Sequence, residues 1–321
     1  MSTSSPPTGP LHRRGLFGTN AADRAFRGTT LTFGVSVIAL ICLLGFELAR
    51  SSQPALRQSG WSFLVSSKWD PVHNAFGVLF AIYGTVVTSL LALAIAVPIG
   101  LGAALFLAEL SPRWLRQPLS FLIELLAAVP SIVYGLWGVF VLVPAIRPLE
   151  TWLQAHFGFV PLFRGEPYGI GVLAAALVLS VMVLPYITAV SREVIQAVPA
   201  SQREAAYALG ATRWETIRGP VLRSARSGIV GAIILALGRA VGETMAVTMV
   251  IGNRAEIPTS LFSPAYTLAS LIANEFAEAT GNLHISALVG AALILLLLTI
   301  AINALARLLI WRVTSGARVT A

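Results

Sequence analysis

Charge is what this chain has least of: only 11% of its 321 residues are Asp, Glu, Lys or Arg, whereas 56% are hydrophobic. Soluble domains average about 25% charged and about 45–50% apolar, so composition excludes an ordinary water-soluble globule. Lysine is almost missing. The single one, Lys68, follows no glycine-rich loop, so there is no Walker A motif and any ATP must be hydrolysed by another chain. Cysteine is limited to Cys42, which excludes an intrachain disulfide. His12, His73, His156 and His284 are scattered, without the His-x-x-x-His spacing that puts two metal ligands on one helical face. No Gly-x-Ser-x-Gly elbow offers a nucleophile. Gly169-Ile-Gly171-Val-Leu-Ala174 fits a dinucleotide-binding pattern, but it follows no strand and opens an apolar helix, so it reads as chance. The expectation is a chain that is not an enzyme and holds no cofactor or metal of its own.

What the sequence has in abundance is long apolar runs. Stretches free or nearly free of charge lie at about 28–46, 77–108, 119–143, 168–190, 227–251 and 284–306. A membrane span needs about 20 such residues, and lipid leaves no backbone polar group unpaired, so the spans should be helices. The predicted fold class is all-α: a polytopic membrane helix bundle of about six transmembrane helices. The second run is long for one perpendicular helix and contains Pro98, which predicts tilt or a kink. Residues 1–27, rich in Ser, Thr, Pro and Gly and then basic, read as a flexible tail. No small-x-small cleavage site adjoins the first run, so it reads as a retained span. The membrane domain is placed at 28–315, followed by a short tail at 316–321.

Basic residues set the orientation. One set of segments holds Arg13, Arg14, Arg24, Arg27, then Arg113 and Arg116, then Arg192, Arg203, Arg213, Arg218, Arg223 and Arg226, and finally Arg307, Arg312 and Arg318. The alternate loops hold only Arg50, Arg57, Lys68, Arg147, Arg164 and Arg254. Both termini are therefore expected in the cytoplasm, in a multi-pass inner-membrane protein. The net charge of +8 is then a basic membrane face attracted to anionic lipid. Nucleic acid is not expected as a partner, because there is no compact basic fold.

Within the loop at about 191–226, Ser201 can cap a helix that Glu204 bonds back to, Ala205 and Ala206 propagate it, and Gly210 supplies a left-handed stop. Thr212 and Glu215 repeat the capping spacing, so two short helices are predicted to meet at Gly210. So structured a loop implies a docking partner. Charges inside the runs are the second signal. Arg239 and Glu243, four residues apart, share one helical face. A guanidinium at mid-membrane costs about 2.5–3.5 kcal/mol on the lowest scale, which pairing with Glu243 would offset. The two readings are a salt bridge that only stabilises packing and a polar path for an anion; the second is favoured. Gly238 and Gly242 form a small-xxx-small pair that predicts a close helix approach. Glu124, shortly before Pro130 and Ser131, is a weaker path candidate, as is Ser131; the carboxylate could equally serve packing.

These residues together resemble the integral-membrane permeases of phosphate-specific ABC importers, and within them the PstC type. Glu204-Ala205-Ala206 with Gly210 is similar to that family's cytoplasmic Glu-Ala-Ala-x-x-x-Gly signature. Gly238-Arg239-Ala240-Val241-Gly242-Glu243-Thr244-Met245-Ala246-Val247, followed by Ile251-Gly252-Asn253, resembles its fifth-span motif. Glu124 to Gly135 resembles its Glu-Leu-Leu-Ala-x-x-Pro-Ser-x-Val-Tyr-Gly segment, and Trp69-x-Pro71, Phe76-Gly77 and Tyr83-Gly84-Thr85 match the approach to the second span. The resemblance implies a type I ABC importer permease fold with a core at about 77–311. It also implies an extracytoplasmic phosphate-binding protein (PstS-type), a second permease (PstA-type) and two copies of an ATPase (PstB-type) that binds ATP and Mg. Arg239 and Glu243 would then line the path of inorganic phosphate, and Glu204, Ala205, Ala206 and Gly210 would couple to the ATPase. One departure is visible: the family's Ile-x-Leu-Pro is replaced by Pro220-Val221-Leu222-Arg223, so the second loop helix is predicted to end early. The alternatives are the PstA-type partner, a membrane-embedded enzyme using Glu124 and Glu243 as acid and base, and a non-transporting scaffold.

Overall fold

The computed structural model describes residues 19–315. Among the described residues six helices are long and apolar enough to cross a membrane: Asp23–Ser51, Leu79–Leu110, Ser131–Phe157, Val172–Gln196, Arg213–Gly242 and Asn282–Leu308. The chain divides into two bodies, one up to Glu47 and one from Leu48. The first body consists, in its described part, of the leading stretch of α1 (Thr19–Ser51). Residues 19–27, expected as flexible tail, are thus already helical; the tail segments 1–18 and 316–321 lie outside the described residues. Along α1 large apolar side chains such as Phe33 and Ile38 are exposed, which suits a helix that faces lipid.

The second body opens with the end of α1, followed by α2 (Gln53–Ser59) and α3 (Ser62–Val65), then a hairpin of β1 (Trp69–Asp70) and β2 (Ala75–Phe76) that pairs Trp69 with Phe76. Asp70 accepts from the His73 ring nitrogen at 2.6 Å, a bond that lowers the pKa of its carboxyl. Next comes α4 (Leu79–Leu105), which passes through Pro98 without a break and closes in a π turn at Phe106–Leu110. It lies against α8 (Val172–Gln196), two thirds of whose most apolar window is buried, so α8 is the axis of the bundle. Small residues permit the contact: a Cβ on Gly100 would sit 2.9 Å from Ile187 Cγ2. Gly171, at the start of α8, has φ +151, and a Cβ there would lie 2.6 Å from the Phe262 carbonyl oxygen. The Gly-x-Gly pattern therefore serves close backbone packing.

The third apolar run does not form one helix over 119–143. α5 (Arg113–Ala128) stops, Val129 and Pro130 are extended, and a second helix begins as α6 (Ser131–Trp137), passes a π turn at Gly138–Leu142 and continues as α7 (Val143–Phe157). Pro130 lacks an N–H and drives the residue before it out of the helical region. Counting charge ends the run at 143, ahead of Arg147 and Glu150, yet Glu150 is fully buried and its Oε2 accepts the Gly169 N–H at 2.9 Å.

Beyond α8 the loop helix α9 (Ala200–Ala208) follows Pro199, so Ser201 lies inside it and makes no cap. Pro199 presets the first turn and removes one orphan donor, the role expected of Ser201. The Thr212–Glu215 capping box is present, with Glu215 Oε2 accepting the Thr212 N–H at 2.8 Å, and Gly210 has φ +81, as its left-handed role requires. α10 (Arg213–Thr216) does not end early: a π turn at Ile217–Val221 takes in Pro220 and runs directly into α11 (Leu222–Gly242). The wider turn gives a proline ring and its missing N–H a place without a break. The fifth run also divides, since Glu243 is extended and α12 (Met245–Val250) is separate. α13 (Leu268–Glu275) and α14 (Asn282–Ser315) complete the fold.

Candidate functional site

The two interrupted apolar runs meet. α6 lies directly on α12, and glycines allow the approach: a Cβ on Gly135 would fall 2.6 Å from Met249 Sδ, and one on Gly138 2.8 Å from Val250 Cγ1. Each break leaves backbone groups without helical partners. At the first, Ser131 begins a helix half-buried. At the second, Glu243 Oε1 reaches forward to the Ala246 N–H at 3.4 Å, and Asn253, at φ +50, donates its amide to the Thr248 carbonyl at 2.9 Å.

Arg239 stands beside these breaks, but not in the expected pair. Its guanidinium carbon lies 4.5 Å from the centre of the Tyr186 ring, and its Nε is buried without a hydrogen-bond partner. No ion pair joins it to Glu243, because α11 ends at Gly242 and the four-residue spacing no longer places the two on one helical face. The arginine is therefore steadied by an aromatic face, and the carboxylate is turned to the start of α12. A guanidinium cannot lose its charge, so this site keeps a cation whose donors are not consumed by a neighbouring acid. Gly238 and Gly242 do not bring a helix unusually close: a Cβ on Gly238 would meet Asn303 at an ordinary 3.7 Å, and Gly242 faces open space.

Glu124 pairs with Arg192 rather than with Arg239. Its Oε1 accepts from Arg192 Nη2 at 3.2 Å, bridging α5 to α8. Sequence reasoning missed Arg192, counted only as a loop charge, and the two tyrosines at the break. Tyr134 donates to the Leu126 carbonyl at 2.7 Å and Tyr186 to the Ala127 carbonyl at 3.1 Å. Their signal was a phenol hydroxyl within an apolar run, which must find an acceptor when buried.

The loop surface is a separate constellation. Glu204, Ala205 and Gly210 are exposed and Ala206 is half-buried, with Leu209 90% exposed and Trp214 60% exposed beside them. Leu209 and Trp214 thus leave apolar surface open at this loop. Behind that surface, Arg203 clamps the loop to two spans. It donates to Glu109 Oε1 at 2.7 Å, at the end of the second span, and to the Ile195 carbonyl at 2.9 Å, at the end of the fourth. Arg213 adds a bond to the Glu109 carbonyl. Glu109 was overlooked as well; the clue was a carboxylate closing an apolar run opposite an arginine-rich loop.

Comparison with known proteins agrees with this architecture. The family described as binding-protein-dependent transport system inner membrane component matches residues 96–315. The phosphate transport system permease protein PstC of Mesorhizobium japonicum is 47% identical over 296 residues, covering 91% of this chain and 90% of its own length. That of Pasteurella multocida is 48% identical, covering 90% and 91%. PstC 2 of Mycobacterium tuberculosis is 40% identical, covering 89% and 90%. Among solved structures, a bacterial alginate ABC transporter shares the fold at TM-score 0.62 and 16% identity, covering 92% of this chain and 98% of that one. The inward-facing MetNI methionine ABC transporter shares it at TM-score 0.55 and 18% identity, covering 74% and 95%.

Proposed function

The chain belongs to the inner-membrane components of binding-protein-dependent transport systems, of the PstC type, and we propose that it is the permease subunit of an ATP-driven phosphate importer. A second permease of PstA type completes the path, two PstB-type ATPase copies bind ATP with Mg and hydrolyse it, and a PstS-type binding protein delivers inorganic phosphate. The observation that carries this reading is Arg239, a permanent cation held on an aromatic ring where two interrupted apolar runs meet. Transporter sites of this kind are built where helices are interrupted at mid-membrane. Glu243 tempers the attraction. Phosphate near neutral pH retains a P–OH that an ionised carboxylate can accept, whereas sulfate offers no such proton. Ser131, at the facing helix start, adds a hydroxyl to the same path. Glu204, Ala205, Ala206 and Gly210 dock on the ATPase, and the Arg203 clamp passes its movement to the second and fourth spans.

The test is to co-purify the complex, reconstitute it with its binding protein and compare ATP-dependent uptake of phosphate and sulfate. Phosphate uptake with little sulfate uptake is expected. Equal uptake would remove the anion assignment, and no ATP-dependent uptake would remove transport.

The basic residues orient the chain with both termini and α9 in the cytoplasm. In a Cys42-free background, an impermeant thiol reagent applied outside should label a cysteine at position 278 and spare one at 213. The reverse pattern would invert this topology.

A further inference from the structure

Two backbone carbonyls at the end of α5 have lost their i+4 helical donors, and Leu126 keeps only a tight i+3 bond from the Val129 N–H at 3.3 Å. In an unbroken helix the N–H of residue 130 would bond to the carbonyl of 126, and that of 131 to 127. Pro130 has no N–H, and Ser131 begins the next helix. Two tyrosine hydroxyls stand in for the missing donors: Tyr134 on Leu126 at 2.7 Å and Tyr186 on Ala127 at 3.1 Å. The two differ in reach. Tyr134 belongs to α6 and ties the break to its own continuation. Tyr186 belongs to α8, and its ring face also carries the Arg239 guanidinium at 4.5 Å. One side chain therefore touches α5, α8 and α11.

We propose that Tyr186 is a positioning residue that links Arg239 to the end of α5 at the Val129–Pro130 break, so that the orientation of the guanidinium follows the position of α5 against α8. The inference rests on the reading of Arg239 as part of the anion path. Its physical basis is the rigidity of the phenol: hydroxyl and ring face are parts of one planar body, so a hydroxyl pulled by the Ala127 carbonyl turns the face beneath the cation. A swing of α5 against α8 either carries the ring along or breaks the bond and frees the ring. Arg239 has no carboxylate to hold it otherwise, and its Nε has no hydrogen bond at all. The arrangement makes the anion site respond to the break without any charged group moving between helices.

The experiment uses the complete complex, reconstituted with its binding protein, and measures assembly yield, ATP hydrolysis and phosphate uptake separately. Tyr186→Phe keeps the ring under Arg239 and removes only the bond to Ala127. It should assemble and hydrolyse ATP normally while phosphate moved per ATP falls about 5–10-fold, the worth of one neutral hydrogen bond. Tyr134→Phe cuts the neighbouring bond but leaves the link to Arg239, and should change that ratio less than twofold. Failure of Tyr186→Phe to assemble, a parallel fall in hydrolysis and uptake, an unchanged ratio, or an equal loss in Tyr134→Phe would each overturn the linkage. Arg239→Gln in the same assay separates the two ideas. If it too moves phosphate at the normal ratio, the anion-path reading has failed; if it alone loses transport, only the link through Tyr186 has.

Discussion

Arg239→Gln is expected to leave assembly of the complex intact and to lower phosphate uptake by on the order of 100-fold, the scale of losing hydrogen bonds from a charged donor. The absence of an ion pair gives this expectation its force. Had Arg239 been locked to Glu243, its removal would have stranded a buried carboxylate, and a failure to fold would have been hard to separate from a failure to transport. Here the carboxylate leans toward the Ala246 N–H instead, and the guanidinium rests on Tyr186. The glutamine therefore forfeits a cation–π contact of about 0.5–2 kcal/mol but leaves no acid without its partner. Glu243→Gln completes the comparison: its amide oxygen can keep the bond to Ala246 while the charge disappears. Uptake should fall less than for Arg239→Gln, and discrimination against sulfate should weaken. Normal phosphate transport with unchanged discrimination would exclude this carboxylate from the path. A complex that fails to assemble with Arg239→Gln would assign the arginine to packing.

Gly84→Ala should be the most damaging single methyl group in the bundle. A Cβ at that position would lie 2.0 Å from the Tyr266 carbonyl oxygen and 3.0 Å from its carbon, both backbone atoms that no rotamer change can move. Thr85, the next residue on α4, fixes the same approach from the other side: its hydroxyl accepts the Leu268 N–H at 2.9 Å while donating to the Ala81 carbonyl at 2.7 Å. To admit the methyl, the 266–268 segment must lift off, breaking that bond and opening the cluster where Phe80, Tyr266 and Leu268 are buried. Overpacking of this kind costs about 1–3 kcal/mol, and the lost hydrogen bond about 1 kcal/mol more. The expected result is a sharp fall in folded protein recovered from membranes and in thermal stability in detergent. Wild-type yield and melting would show that the segment can yield without penalty. Gly102, which faces open space on the same helix, is the matched control, since Gly102→Ala should cost nothing comparable.

The number of spans was legible because charge is so sparse that six runs stand out unaided. Their ends were not, because counting charges penalises residues such as Glu150 that are buried with a backbone donor. Both helix breaks were also hidden. Pro130 was visible, yet nothing local distinguishes it from Pro98, which α4 absorbs without interruption. Pro220 failed in the opposite sense, expected to stop a helix that instead widens around it. Arg239 and Glu243 stand out in the sequence as charges inside an apolar run, but their pairing assumed a continuous helix, and the stop at Gly242 removed it. Tyr186 and Arg203 could not be assigned from sequence at all. Their partners, Ala127 and Arg239 in one case and Glu109 and Ile195 in the other, come from helices brought together only by the tertiary fold.

The π turn at Ile217–Val221 sets an angular phase. Inserting one residue into an α-helix turns every later side chain by about 100° about the axis. Trp214 lies before this turn and Arg239 after it, on one uninterrupted rod. The azimuth of the exposed tryptophan relative to that of the cation is thus fixed by five residues near the membrane surface. Narrowing that turn to α geometry would rotate one end of the rod against the other with no hinge and no change of tilt, giving a torsional degree of freedom that rigid-body rocking of whole helices does not contain.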